Sequence, residues 1–397
     1  MVQLSNRLNR LAPSATLAMS QKSREMKAQG IDVINMSVGE PDFNTPEHIK
    51  EAGKKAIDEN YSKYSPVPGY LELRKAIVNK LKKENHLDYT ENEVMVSTGG
   101  KQAVCNTILA LINAGDEVII PAPYWVSYPQ MVKLAGGVPV ILKGSFEQDF
   151  KIHPEQLEAA ISPKTRMLIL CSPSNPSGSV YSKKELEALA DVVRKHADLF
   201  VLSDEIYEHI NYTGQNNSIA QFPGMKERTI ICNGISKAYA MTGWRLGWMA
   251  APEWIVKGCN KLQGQYTSGA NSISQQAAIE AYKGDQQNVE DYRKAFERRR
   301  DLILQLLKGI PGLEVNLPEG AFYVFPKCSS YFGKSDGNRI IKNSTDFSLY
   351  LLEIAHVATV GGDAFGDPDG FRISYATSDD NIKEAMKRIR EALAKLK

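Results

Sequence analysis

The sequence predicts an α/β protein, with a large domain built on a mostly parallel, doubly wound sheet and a smaller α+β domain. Three observations carry this. The chain has 397 residues, well past the size at which one hydrophobic core stops growing, so a large and a small domain are expected. From roughly residue 46 to residue 285, short apolar runs alternate with amphipathic ones, the pattern of a parallel sheet covered by helices. From 286 to 397 the order changes to a long charged helix, a few short strands and a closing helix, which suggests a separate α+β unit.

Residues 1–45 are expected to fold onto that smaller unit, because VINMSVGEPDF reads as a strand broken at GEP before the large domain begins. In the large domain the strands EVMVST, DEVIIPA, VPVILK, RMLILCS, LFVLSD and TIICNGIS alternate with the helices QAVCNTILALI, YPQMVKLAG, LEAAI and KKELEALADVVRKH. Ligands of such a sheet sit at the carboxyl ends of its strands. The small domain opens with VEDYRKAFERRRDLILQLLKG, continues through GAFYVFP, LEIAHVATVG and GFRISYATS, and closes on DNIKEAMKRIREALAKL. Between them, the polar stretch from Cys328 to Ser344 reads as a solvated insertion.

Composition narrows the function. With 43% hydrophobic and 24% charged residues, the chain has the make-up of an ordinary soluble enzyme. Its 48 basic and 46 acidic side chains leave a net charge of +2, which argues against a nucleic-acid partner. The cysteines, Cys105, Cys171, Cys232, Cys259 and Cys328, are odd in number, widely spaced and without a CxxC pair, so no metal site and a reducing cytoplasm are expected. No apolar run approaches the roughly 18 residues of a membrane span. The start MVQLSNRLNRL lacks the hydrophobic stretch of a secretory signal; basic and acid-poor through Arg24, it leaves a transit peptide as a minor alternative.

The stretch NGISKAYAMTGWRLGWMAA, residues 233–251, is the most informative about chemistry. Ser236, Lys237 and Arg245 can converge on a phosphate and an aldehyde: a lysine amine at a strand end can condense with a carbonyl, and a hydroxyl and a planar guanidinium suit a phosphate. An isolated SK dipeptide reads more readily as a surface lysine in a polar turn. In STGGKQA the amides of Gly99, Gly100 and Lys101 open a helix, a ready anion site, although a glycine pair alone is weak evidence. Trp125 in PAPYWVSYP could stack on a flat ring or serve as a structural aromatic. SPSNPSG, which holds Asn175, says only that the chain turns. Asp204 ends the apolar run of LFVLSD, where a helix cap competes evenly with a functional carboxylate. Arg372 lies inside the apolar strand GFRISYATS and must meet an anion, whether a substrate or a structural partner.

Together with PSATLAM, VGEPDF, YSPVPGYLELRKAI, SDEIY and GAFYVFP, these strings make nearly the whole chain resemble the fold-type I (class I) aminotransferases, subgroup I, the aspartate aminotransferase family. The resemblance implies pyridoxal 5'-phosphate carried on Lys237 and ping-pong transfer of amino groups between amino acids and 2-oxo acids. It puts Gly100, Lys101, Ser236 and Arg245 at the phosphate, Trp125 over the pyridine ring and Asp204 at the ring nitrogen, which a carboxylate keeps protonated. By the same likeness Asn175 and Tyr207 reach the phenolic oxygen, Arg372 grips the substrate α-carboxylate, and Gly39 lines that end of the substrate. Tyr64 in KYSP resembles the tyrosine that crosses a subunit interface to the neighbouring phosphate, implying a homodimer.

The resemblance also frames specificity. The leading expectation is transfer from L-aspartate to 2-oxoglutarate, giving oxaloacetate and L-glutamate, with Lys101 as the cation for the distal carboxylate in place of a second arginine. Aminotransferases of prephenate or aromatic amino acids are the rivals. Members of the subgroup that accept prephenate often carry a lysine before PSAT, where this chain has Ala12. Lyases and synthases use the same residues, since fold alone does not fix the reaction. A cofactor-binding regulator normally brings a helix-turn-helix segment, which this sequence does not show.

Overall fold

The computed structural model describes residues 4–397. Its strands, in chain order, are β1 (Ile34–Asn35), β2 (Val94–Ser97), β3 (Glu117–Ala122), β4 (Val138–Lys143), β5 (Thr165–Cys171), β6 (Phe200–Asp204), β7 (Thr229–Gly234), β8 (Gly247–Ala250), β9 (Tyr323–Val324), β10 (Val357–Ala358), β11 (Val360–Gly361) and β12 (Phe371–Ser374).

β2 to β8 form a seven-stranded sheet in the order β2-β8-β7-β6-β5-β3-β4. The pairings from β7 through β6, β5 and β3 to β4 are parallel. β8 runs antiparallel to both β7 and β2. Patterning along the chain does not reveal β8, because four apolar residues straight after a functional loop carry no period of their own.

Alternation along β5 decides which residues face which helices. Met167 and Ile169 join Ile108, Cys259 and Val132 on one face. Leu168 and Leu170 meet Leu186, Leu189 and Val193 on the other. The last three come from the helix Lys183–Arg194, which starts where the Ser182 hydroxyl accepts from the Glu185 N–H and the Glu185 carboxylate accepts from the Ser182 N–H. With apolar residues packed on both faces, the strand ends are the one place where polar groups of the sheet can meet a ligand.

β11, β12 and β9 form a small antiparallel sheet. It packs with the helices Gln287–Leu307 and Asp379–Leu393 through a core that includes Phe296, Ile303, Ile382 and Ile389. The N-terminal part joins this region: β1 pairs in parallel with β10, and Met19 and Val33 pack against Leu352 and Ala358.

The expectation of a solvated insertion over Cys328–Ser344 is corrected. Cys328, Tyr331, Ile341 and Ser344 are buried, and exposed backbone is confined mainly to residues 337–340. Three widely separated apolar side chains anchor a segment whose average composition is polar. No helix among the described residues is long and apolar enough to cross a membrane.

Candidate active site

A cavity of about 460 Å³ opens at the carboxyl ends of β5, β6 and β7, where the small sheet closes over the large one. Its first wall is the start of the helix Gly100–Leu111. Gly99 has φ +82°, and a Cβ there would come within 2.5 Å of the Arg245 guanidinium. On β8, a Cβ at Gly247 would lie 2.1 Å from the Gly100 amide nitrogen. Only glycines allow this approach, which brings the leading amides of the helix, the Arg245 guanidinium and the buried Ser236 hydroxyl to one end of the cavity. Arg245 donates from Nη1 to the Thr242 carbonyl at 2.8 Å and has no carboxylate partner among the described residues.

The floor is Asp204, the last residue of β6. Its Oδ2 accepts from the Tyr128 phenol at 2.6 Å and its Oδ1 from the Ile206 N–H at 3.3 Å. Burial raises its pKa, while those two donors pull the other way. The short-range bond to Ile206 is the cap-like bond that the sequence leaves open for an aspartate here; the carboxylate lines the cavity nonetheless. Beside it the Cys171 thiol is pushed up to about 12 by burial and by the Asp204 charge.

Lys237 stands between floor and roof. Its Nζ donates to the Gly39 carbonyl at 2.6 Å and lies 5.9 Å from the Tyr207 ring centre. Burial pulls the amine down to about 8, overriding the opposing pull of Glu40. Tyr207 shares a 2.8 Å hydrogen bond with the Tyr323 hydroxyl. Burial and that neighbour hold the Tyr207 phenol well above its ordinary value, so it is a proton donor at neutral pH.

The roof is Arg372 on β12, 2% exposed. Nη1 donates to the Asn175 side-chain oxygen at 2.9 Å and Nη2 to the Ser37 carbonyl, while Nε has no partner. The guanidinium lies 4.6 Å from the Tyr323 ring centre and 5.0 Å from that of Phe365. Among the described residues no carboxylate pairs with it.

At the cavity mouth the Lys101 Nζ sits 5.0 Å from the centre of the Trp125 ring, which meets Tyr128 edge to face. Burial and the nearby Arg245 charge lower the Lys101 pKa. Ser14, Thr16 and Leu17 complete the rim. Ala12 lies outside the lining and hydrogen-bonds through its N–H to the Gln130 side chain. Tyr64 is not brought to the cavity within this chain and is 98% exposed.

The family model described as aminotransferase class I and II matches residues 31–389. This chain belongs to that family. It is 48% identical to the aspartate/prephenate aminotransferase of Cereibacter sphaeroides, over the full length of both chains. The aspartate aminotransferase of Rhizobium meliloti superposes with a TM-score of 0.96 at 44% identity, covering 100% of each chain. The Thermus thermophilus aspartate aminotransferase with maleate has a TM-score of 0.93 at 41% identity, covering 99% of this chain and 100% of the other.

An aminotransferase of this family uses pyridoxal 5'-phosphate, and the cavity fits that group. The glycine cradle beside Arg245 suits a phosphate. The buried Asp204 carboxylate, without a cation bonded to it, suits a protonated ring nitrogen, and the lowered amine of Lys237 suits an aldehyde.

Tyr128 and Tyr323 are among the cavity residues that the sequence reading does not single out. Tyr128 stands three positions after Trp125 in PYWVSYP, and Tyr323 lies in GAFYVFP. Both strings are visible in the sequence, yet only the fold shows that one phenol meets Asp204 and the other Tyr207.

Proposed function

We propose that this chain is a cytoplasmic, homodimeric aspartate aminotransferase, transferring the amino group of L-aspartate to 2-oxoglutarate to give oxaloacetate and L-glutamate. One observation carries the reading: a fully buried guanidinium, Arg372, faces the same cavity as Lys237 and Asp204 and has no carboxylate among the described residues to neutralise it. A buried, uncompensated charge is costly, and the α-carboxylate common to amino acids and 2-oxo acids would relieve it through bidentate hydrogen bonds. Lys101, another cation of the cavity lining and also without a carboxylate partner among the described residues, would take the distal carboxylate of a dicarboxylic substrate. The maleate present with the Thermus thermophilus aspartate aminotransferase is itself a dicarboxylate.

The bound cofactor supplies an aldehyde that condenses with amines and a protonated ring that takes up the electron pair left when the Cα–H bond breaks. Arg372 and Asn175 fix the substrate so that its Cα–H points toward Lys237. With the cofactor bound, Nζ of Lys237 would be the group that takes the substrate Cα proton and gives it back two atoms away, across the amino nitrogen. Burial that pulls this amine down to about 8 leaves it a larger neutral fraction at neutral pH than an ordinary lysine has. Asp204 would hold the proton on the ring nitrogen, and Tyr128 holds Asp204 in place. Tyr207 and Asn175 would donate to the phenolic oxygen, Trp125 would cover the ring, and Ser236, Arg245 and the Gly100 and Lys101 amides would hold the phosphate. Residues 46–285 would carry the cofactor, with 286–397 and 1–45 forming the part that brings Arg372. The exposed Tyr64 is available to a second copy of the chain, where it would reach the partner's phosphate.

A second reading adds prephenate as amino acceptor, favoured by the name of the Cereibacter sphaeroides relative. The test is a panel of amino donors against 2-oxoglutarate, with prephenate as an alternative acceptor. Aspartate should lead in kcat/KM; a leading aromatic donor would replace the aspartate reading, and turnover of prephenate would broaden it.

A further inference from the structure

On the side of Asp204 and Tyr207 away from the cavity lies a buried cluster of charge that the chemistry above does not use. Lys80, on the helix Leu71–Asn85, is 3% exposed. Its Nζ donates to the Asn85 side-chain oxygen at 2.7 Å and to Oε1 of Glu208. Glu208 also accepts from the side-chain amide of Asn85 at 2.8 Å and from that of Asn233 at 2.6 Å. The other end of Asn233, its Oδ1, accepts from the Gly234 N–H at 2.7 Å.

Lys80 is the buried cation of this cluster, and its Nζ also lies 3.5 Å from the half-buried Glu84. Against the upward pull of burial, Lys80 and His209 hold Glu208 at about 2, so it is ionised. Neighbouring Glu205 is pushed up to about 7 by burial and by the Glu208 charge, and its Oε1 accepts from Ser203 and Ser218. His209 is occupied on its far side by Glu84, at 2.8 Å. Lys80 and Glu208 thus form the buried pair. Such a pair contributes little net stability over well-packed apolar side chains, because desolvation offsets the attraction. What it does provide is fixed geometry.

That geometry joins two catalytic segments. Glu208 directly follows Tyr207 in the turn after Asp204, and Asn233 is the next-to-last residue of β7, just before the loop that leads to Ser236 and Lys237. Tyr207 and Lys237 face the cavity, while Glu208 and Asn233 face away and bond to each other. We propose that the chain of contacts from Lys80 through Glu208 to Asn233 is a positioning element that fixes the Lys237 loop against the Asp204–Tyr207 turn. It sets where Nζ stands relative to the proton it moves. Lys80, Glu208 and Asn233 touch neither substrate nor cofactor and act only through Tyr207 and Lys237. A displacement of about 1 Å at a reacting group can cost on the order of 100-fold in rate, so a loosened loop is visible in turnover. The inference rests on the reading that Lys237 carries the cofactor and transfers the proton.

The test uses the holoenzyme and two variants. Asn233→Ala cuts the link to the lysine loop and leaves the Lys80–Glu208 pair intact; the double variant Lys80→Met with Glu208→Gln removes both members of the pair and leaves Glu84 to His209. Thermal stability, kcat and KM for aspartate, and the pH midpoint of the bound cofactor's visible absorbance change are measured for each. In both variants kcat should fall about tenfold with KM changed less than about threefold, and the absorbance midpoint should move by about half a pH unit or more. Wild-type kcat and midpoint in a folded Asn233→Ala protein, whatever its melting temperature, would overturn the proposal and leave the cluster a structural one. If Asn233→Ala does not fold, Asn233→Ser is read by the same criteria. A wild-type protein with no visible cofactor absorbance would instead remove the parent reading of Lys237, so the two failures are told apart.

Discussion

The phenol of Tyr128 donates to Oδ2 of Asp204 at 2.6 Å, from a helix on one side of the sheet to the end of its central strand. With the Ile206 N–H on Oδ1, it offsets the burial that raises the Asp204 pKa. Tyr128→Phe removes one of the two donors and leaves the desolvation, so the carboxylate should take up a proton at higher pH. The acid limb of the kcat/KM profile should move to higher pH, and kcat/KM at neutral pH should fall by about 0.5 to 1.5 kcal/mol, the net worth of one hydrogen bond. A superimposable pH profile would show that the bond does not tune Asp204.

Lys237→Ala should abolish both turnover and the visible absorbance of the bound cofactor. In the wild type, burial holds the amine at about 8, and the neutral amine is the form that attacks an aldehyde. The rate at which apoprotein takes up cofactor should therefore rise with pH and level off just above 8. A rate still climbing at pH 10 would mean that the amine behaves as a solvated lysine. The sign for stability follows the same way: this cationic group has a folded pKa below its unfolded value, so its charging penalises the apo fold most below pH 8. The penalty fades as pH rises through the window between the two values.

Arg372→Ala should weaken amino acids and 2-oxo acids alike, because each presents an α-carboxylate. Removing a desolvated bidentate partner costs on the order of 2 to 5 kcal/mol in kcat/KM. Measuring kcat/KM for aspartate, alanine, phenylalanine and 2-oxoglutarate decides the matter: a loss confined to one class would make Arg372 a reader of side chains.

Lys101→Ser separates the two uses open to that lysine. Its Nζ lies over Trp125 at the cavity mouth, near enough to Arg245 to feel its charge. A selective fall in kcat/KM for aspartate, with alanine and phenylalanine little changed, is the expected result. Lys is a point charge on a flexible stem, so the discrimination should be moderate, roughly 1 to 3 kcal/mol. Equal losses for all donors, with weaker cofactor binding, would assign Lys101 to the phosphate.

The sequence by itself determines the alternation that builds the sheet and the points where its strands stop. LFVLSD ends on Asp204 and TIICNG leads into Ser236 and Lys237 because an apolar run buried on both faces must end where a polar residue reaches the sheet edge. Those strings are local, which is why they carry both a fold and a family resemblance. Contacts between distant residues leave no such trace. Tyr128 and Asp204 are 76 positions apart, Tyr207 and Tyr323 are 116 apart, and Arg372 and Ser37 are 335 apart. Lys80 is the sharpest case: nothing in LELRKAIVNKLKKEN sets it apart from the neighbouring lysines, yet it is buried against Glu208. The same holds for the segment after Cys328, whose polar average hides the side chains that anchor it. Periodicity reports how a backbone repeats, whereas the burial of a charge depends on whether a partner arrives from elsewhere in the chain, and only the tertiary structure decides that.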